Sequence, residues 1–284
     1  MKIKHYKSQF IQELTPIYDA GEAESFFYLI LEQKQQLKRI DLALNPELCF
    51  SEAEITVWNS ILEALKQEIP VQYVLGTTSF YGLDFEVNPA VLIPRPETEE
   101  LVAWIIESQK GRAKTEKLKI LDIGTGSGCI AIALAKNLTN AAVFAIDVSE
   151  LALATAQKNA GNNAVNVTFL SKNILETDDL EQEFQIIVSN PPYVRHLEKV
   201  AIKKNVLDYE PHLALFVGDD DALVFYKKIA QLAQINLSKK GQLFFEINQY
   251  LGKETVDLLE KMNFKNIQLK QDIYGNDRMI SAYF

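Results

Sequence analysis

The chain has 284 residues, 48% of them hydrophobic and 24% charged, with a formal net charge of -9 and a pI of about 5.0. This is ordinary globular composition, enough for one large domain or two smaller ones. It counts against a broad grip on nucleic acid, which needs clustered Lys and Arg, and no apolar run reaches the length of a membrane span.

Residues 1–70 read as a small helical domain. Helices are predicted over 3–14, 22–39 and 51–67. Ala23, Phe26, Phe27, Leu29, Ile30 and Leu31 have helical spacing, which suggests a bundle. Ser51 followed by Glu54 forms a capping box. The bundle holds no obvious catalytic set, so partner binding and mere packing both remain open for it. Residues 71–96 read as a β-hairpin linker, with the turn near Gly82. Pro96, Glu97 and Glu99 then suit the first turn of a helix that runs to about Ser108, where 111–114 should break it.

From residue 118 strands and helices alternate. Strands are expected near 118–123, 142–147, 166–170, 184–189, 241–247, 264–271 and 278–284. A long helix is expected over 220–238, with Leu223, Tyr226, Ile229, Ala230 and Ala233 on its apolar side. Alternation of this kind implies a mostly parallel sheet covered by helices on both faces. The last two strands lie close enough in sequence to pair antiparallel at the edge.

Three features within this region carry chemistry. The strand Leu118-Lys119-Ile120-Leu121-Asp122-Ile123 runs into Gly124-Thr125-Gly126-Ser127-Gly128, and a helix follows. Glycines there permit a sharp turn and close approach of a ligand. The spacing differs from the dinucleotide fingerprint, because the third glycine comes one residue early. Asp147 ends the next strand, where a carboxylate suits two ribose hydroxyls, although an acidic residue there also suits the start of the helix that follows. Asn190-Pro191-Pro192-Tyr193 follows the buried strand 184–189. The prolines stop the strand, and the loop then offers an amide oxygen, a carbonyl and an aromatic face. Those groups suit a planar NH2 substrate, with two acceptors for two N–H bonds.

Glycine turn, strand-end acid and Asn-Pro-Pro-Tyr, in this order, match S-adenosylmethionine methyltransferases that act on planar nitrogens. The chain resembles the glutamine N5-methyltransferases of peptide chain release factors, the HemK family. The resemblance covers nearly the whole chain. It includes Pro70-Val71-Gln72-Tyr73, Phe80-Tyr81-Gly82, Ile93-Pro94-Arg95-Pro96-Glu97-Thr98-Glu99, and Tyr209-Glu210-Pro211 with Ala214, Leu215 and Gly218. Two positions depart from the family pattern: Ala222 replaces a glycine, and Asn173 replaces an acidic residue near the adenine end. Ala222 is expected to be tolerated at a helix start.

The resemblance implies a Rossmann-like, seven-stranded class I methyltransferase domain over 97–284, behind the helical domain 1–70 and the linker 71–96. It implies S-adenosylmethionine held by Gly124, Thr125, Gly126, Ser127, Gly128, Asp147, Asn173, Ile174 and Asn190. The substrate would be the glutamine of the Gly-Gly-Gln loop of class I release factors, held by Asn190, Pro191, Pro192 and Tyr193. Asn190, Pro191 and Tyr193 would carry the catalytic role, and the helical domain would serve substrate recognition. An amide nitrogen is a poor nucleophile, and acceptors at Asn190 and Pro191 would enrich and aim it, with Tyr193 fixing the amide plane. No general base is required.

The nearest alternative is an adenine-N6 or cytosine-N4 nucleic-acid methyltransferase, which the acidic pI disfavours. An NAD-dependent oxidoreductase is disfavoured by the glycine spacing, and a non-catalytic binding adaptor by the intact tetrapeptide. Arg195, Lys199, Lys203 and Lys204 near the loop read as a solvated surface. Cys49 and Cys129 lie far apart, and His5, His196 and His212 form no ligand pattern, so no metal site is expected. The stretch Met1-Lys2-Ile3-Lys4-His5 leads into polar residues, so cytoplasmic residence is expected.

Overall fold

The computed structural model describes residues 1–110 and 117–284, so the expected break at 111–114 lies outside the described residues. The chain forms two compact units. One holds Met1–Gly76 and Lys203–Tyr209; the other holds Thr77–Ile202 and Glu210–Phe284.

Aromatic packing organises the helical unit. Trp58 is fully buried, and its ring lies 4.9 Å from that of Phe27, 5.0 Å from Phe50, 5.7 Å from Tyr6 and 5.8 Å from Phe10. These side chains come from the helices Ile3–Leu14, Ala20–Gln35 and Glu52–Lys66 and from the segment between the last two. The Glu52–Lys66 helix starts as expected: Ser51 and Glu54 form a reciprocal capping box. The second helix stops earlier than the predicted 39, because Gln36 turns left-handed at φ 55°. A separate short helix, Arg39–Leu44, follows. Another unforeseen helix, Val71–Leu75, ends at Gly76 with φ 77°, a conformation that glycine adopts without a Cβ penalty. Within this unit Lys204 pairs with Glu68 at 2.8 Å, and the Tyr209 hydroxyl donates to the Gln67 carbonyl at 2.7 Å.

The second unit opens with the hairpin β1 (Thr77–Phe80) and β2 (Leu83–Glu86). Tyr81 and Gly82 both have positive φ, 50° and 72°, the backbone of a two-residue hairpin turn. The expected linker 71–96 is therefore divided: 71–76 belong to the helical unit and 77–96 to this one. The expected continuous domain 97–284 is likewise interrupted, because Lys203–Tyr209 belong to the helical unit.

The remaining strands are β3 (Leu118–Ile123), β4 (Ala141–Asp147), β5 (Val167–Ser171), β6 (Phe184–Ser189), the two-residue β7 (Val194–Arg195) and β8 (Phe216–Val217), then β9 (Leu237–Glu246), β10 (Lys265–Gln271) and β11 (Asp277–Tyr283). Among the described residues, seven form one sheet in the order β10-β11-β9-β6-β3-β4-β5. β9, β6, β3, β4 and β5 are parallel; β11 runs antiparallel to both neighbours and leaves β10 at the edge. The central strands are buried on both faces, which explains why most of their residues are apolar. In β6, Ile186 and Val188 join the cluster built with the helices Pro96–Ser108 and Cys129–Asn137, whereas Ile187 joins the cluster built with Val224–Asn236. The last of these helices begins at Val224, later than predicted, so Ala222 lies in the turn before it and not at a helix start.

The connection after β3 leads to β4 on one side, and β6 returns to the other side. The strand order therefore reverses between β3 and β6, and the carboxyl ends of these two strands border a crevice. No helix among the described residues is long and apolar enough to cross a membrane.

Trp58→Ala is expected to remove the ring about which the helical unit packs. Denaturant unfolding monitored on the full chain should show a loss of about 3–5 kcal/mol in that unit. A loss below about 1 kcal/mol would mean that the aromatic cluster is not its core.

Candidate active site

A cavity of about 290 Å³ opens at the β3–β6 reversal. Gly124, Thr125, Gly126, Ser127, Asp147, Asn173, Ile174, Asn190, Pro191 and Pro192 all line it, so most residues singled out in the sequence meet at one place. Gly128 and Tyr193 are not among its lining residues.

The glycine turn is held over the end of β4. The Gly124 and Thr125 amides both donate to the Ile146 carbonyl, at 2.8 and 3.1 Å. Gly124 and Gly126 have φ of 74° and 55°, and a Cβ added to either would meet nothing within 4 Å. Their Cα atoms therefore face open cavity space. Gly128 differs: a Cβ there would come within 2.9 Å of Ile132 Cδ1 and 3.1 Å of Ala156 Cβ. It serves the close packing of the following helices rather than the cavity wall.

Asp147 Oδ2 accepts from the Gly126 amide and Oδ1 from the Ser149 amide, both at 2.9 Å. The carboxylate is thereby aimed into the cavity, with lone pairs left over for a ligand. The helix cap at this point is Ser149, whose side chain accepts from the Ala152 amide. Asn173 caps a short 3₁₀ helix through its own side-chain oxygen, which accepts from Leu175 at 3.1 Å. That oxygen is thus already engaged locally.

Beneath the turn, Asp122 is fully buried and accepts from the Thr125 hydroxyl at 2.6 Å. Burial pushes its pKa up to about 7, against the opposing pull of that hydroxyl. Cys129 also lines the cavity, and burial pushes its thiol up to about 12, which keeps it neutral.

The Asn190 loop is fixed from several sides. The Ser189 hydroxyl donates to the Ile123 carbonyl at 2.7 Å and ties the ends of β6 and β3 together. Asn190 Nδ2 donates to Thr98 Oγ1 at 3.4 Å, and Thr98 Oγ1 donates to Glu246 Oε2 at 2.6 Å. With its NH2 engaged there, Asn190 has its side-chain oxygen free for the cavity. The Tyr193 ring packs on the core, and its hydroxyl donates to Glu246 Oε1 at 3.4 Å. Burial and the charge of Glu246 raise the Tyr193 pKa. The stacking face expected of Tyr193 is therefore directed into the core, because its hydroxyl is drawn to Glu246. Asn248 Nδ2 donates to the Tyr193 carbonyl at 3.0 Å and holds the chain beyond. Burial raises the pKa of Glu246, while the Thr98 hydroxyl and the field of Arg278 favour its charged form.

Sequence reading missed Glu246, Asn248 and Asn159. Glu246 ends a buried strand just as Asp147 does, so the same signal marked it. Asn159, fully buried, donates to the carbonyls of Glu86 and Ser127 and joins hairpin to glycine turn. The basic residues near the loop are less free than expected. Arg195 pairs with Glu198 at 3.0 Å, Lys199 lies 4.4 Å above the Phe216 ring, and Lys204 pairs within the helical unit. No group of three or more His, Cys, Asp or Glu among the described residues is placed to hold a metal.

Comparison with known proteins puts names beside this geometry. The family described as Methyltransferase small domain matches residues 107–212, and the PrmC N-terminal domain matches residues 8–76. The chain is 65% identical over 284 residues to the release factor glutamine methyltransferase of Flavobacterium psychrophilum, covering 100% of both chains. It is 40% identical over 272 residues to that of Bacteroides thetaiotaomicron, covering 95% of this chain and 96% of the relative. Among solved structures it is similar to the hMettl16 catalytic domain in complex with a MAT2A 3'UTR hairpin. The TM-score is 0.56 at 16% identity, over 84% of each chain. It is also similar to the T. thermophilus 16S rRNA N2 G1207 methyltransferase RsmC in complex with AdoMet and guanosine. There the TM-score is 0.53 at 22% identity, over 73% of this chain and 49% of that one. These two likenesses concern the fold.

Asp122 yields a pH test. Its folded pKa is raised from 3.8, so it favours folding while protonated. That contribution is complete below about pH 4 and is lost as the pH rises through about 7. Asp122→Asn should flatten the fall in stability between pH 5 and 8, with a gain at pH 8 on the order of a few kcal/mol. Parallel stability profiles for the two proteins would show that Asp122 does not titrate in this range.

Proposed function

This chain belongs to the family of release factor glutamine methyltransferases, and we propose that it methylates the side-chain N5 of the glutamine in the Gly-Gly-Gln motif of class I peptide chain release factors, with S-adenosylmethionine as donor. The observation that carries this reading is the meeting of two strand ends at one cavity. The end of β3 supplies an open glycine turn, and the end of β6 supplies an amide oxygen beside a stiff, proline-bounded carbonyl.

The residues present fit this cofactor. Gly124 and Gly126 leave room where a side chain would intrude, Asp147 presents a carboxylate suited to ribose hydroxyls, and Ile174 adds an apolar wall beside Asn173 for the adenine. Bound S-adenosylmethionine supplies a methyl group on a positively charged sulfur. The chain's own part is to prepare the nitrogen. A carboxamide lone pair is delocalised into the carbonyl, which makes the nitrogen weakly nucleophilic. The Asn190 side-chain oxygen and the Pro191 carbonyl accept its two N–H bonds, raise its electron density and fix its approach. Positioning of this kind lowers barriers by roughly 7–11 kcal/mol in ideal cases. With the cofactor bound, the nitrogen lone pair would take the methyl carbon while the sulfur–carbon bonding pair stayed on sulfur, and Asn190 and Pro191 would hold the two N–H groups of the nitrogen, one of which then loses its proton to water. Pro192 stiffens the loop, and Tyr193 anchors it from behind through Glu246. The helical unit serves recognition of the protein substrate, and the reading includes residence in the cytoplasm.

The cofactor assignment is tested at Gly126. Gly126→Val puts a branched side chain at a positive φ and into the cavity, so S-adenosylmethionine binding should be lost in calorimetry on folded protein. Unchanged affinity would remove the glycine turn from the cofactor site.

The substrate assignment is tested at Asn190. Asn190→Ala leaves one substrate N–H without its protein acceptor, a penalty of roughly 1–3 kcal/mol, and also releases the amide from its orientation. Turnover on an intact release factor should fall by more than that penalty alone, while cofactor affinity changes only modestly. Asn190→Asp keeps an acceptor and should retain more activity than the alanine variant. Wild-type turnover in Asn190→Ala would exclude the tetrapeptide from the mechanism.

A further inference from the structure

An asparagine amide serves as an acceptor only if its oxygen, and not its NH2, faces the substrate. The two ends are nearly equal in size, so shape alone does not choose between them. The choice must come from the groups behind the amide.

Behind Asn190 stands Thr98, in the first turn of the helix Pro96–Ser108, 3% exposed and lining the same cavity. Its hydroxyl carries a single proton. That proton is committed to Glu246 Oε2 at 2.6 Å, a short O–H···O contact of the kind made to a carboxylate. The carboxylate is 2% exposed, at the end of β9. Only lone pairs of Thr98 Oγ1 therefore remain for Asn190, and they receive Nδ2 at 3.4 Å. Turning the amide over would set its oxygen against the Thr98 oxygen, acceptor facing acceptor. It would also present NH2 to a substrate that itself offers NH2. Each step of the chain fixes the next: a carboxylate fixes a hydroxyl, and the hydroxyl fixes an amide.

We propose that Glu246 and Thr98 are positioning residues for methyl transfer, a two-link relay that holds the Asn190 side-chain oxygen toward the substrate amide. The inference rests on the acceptor role of Asn190 given above. It assigns a function to two residues that touch no reacting atom, and it explains why a carboxylate is buried at the end of β9, directly after Leu243, Phe244 and Phe245. Glu246 also receives the Tyr193 hydroxyl at 3.4 Å, so one carboxylate steadies both ends of the tetrapeptide.

The test uses the full chain with S-adenosylmethionine and a purified class I release factor. Thr98→Val keeps the shape and removes the hydroxyl; Thr98→Ser keeps the hydroxyl; Glu246→Gln replaces an obligate acceptor by a group that also donates. Thr98→Val and Glu246→Gln should each lower kcat roughly 10- to 100-fold, with the cofactor Kd within about twofold of wild type. Thr98→Ser should stay within about threefold of wild-type kcat. Wild-type kcat in Thr98→Val, or equal losses in the valine and serine variants, would overturn the relay. So would a loss of kcat accompanied by an equal loss of cofactor affinity, which would mark a packing role. A relay failure beside an inactive Asn190→Ala would leave the acceptor role standing. An active Asn190→Ala would remove the premise itself.

Discussion

The bond from the Ser189 hydroxyl to the Ile123 carbonyl joins the two strand ends on which the site depends. β3 delivers the glycine turn and β6 delivers Asn190, and the strand order reverses between them. A methyl donor and a nitrogen acceptor must meet within bonding reach. Adjacent parallel strands, in register at Ile123 and Ser189, place their carboxyl ends side by side without help from loops. The rest of the second unit serves that placement. Apolar clusters bury both faces of the sheet, and the loops beyond its edge are pinned by buried polar groups.

The segment Arg95 to Glu99 shows how the pinning works. Arg95 pairs with the buried Glu210 at 2.5 Å. Thr98 reaches Glu246 and Asn190, and Glu99 accepts from the Tyr81 amide at the hairpin turn at 2.8 Å. Glu99 looked like a helix-dipole residue in the sequence, yet its carboxylate closes the turn where Tyr81 adopts a positive φ. A short motif thus ties together four other segments of the chain, at Tyr81, Asn190, Glu210 and Glu246.

Much of this was legible in the chain. β3 and β6 fall where their sequences predict, because strands buried on both faces are mostly apolar and stand out from the polar segments around them. Asp147 and Asn190 stood out because polar residues directly after such runs are conspicuous. What stayed hidden depends on contacts across large sequence gaps. Thr98 and Glu246 are 148 residues apart, and only the sheet order brings them together. The direction of Tyr193 was equally unreadable, since its hydroxyl answers to that same distant carboxylate. The units also divide at Gly76 and not near Pro70, because a five-residue helix, too short to show periodicity, extends the first unit.

The central claim is that this crevice transfers a methyl group to a planar side-chain amide. The direct measurement is to incubate the purified chain with isotopically labelled S-adenosylmethionine, an intact class I release factor and, in a parallel reaction, nucleic acid, and to locate the label by mass spectrometry. One labelled methyl is expected on the side-chain nitrogen of the Gly-Gly-Gln glutamine. Label on adenine N6 or cytosine N4, or on a different residue of the release factor, would contradict it.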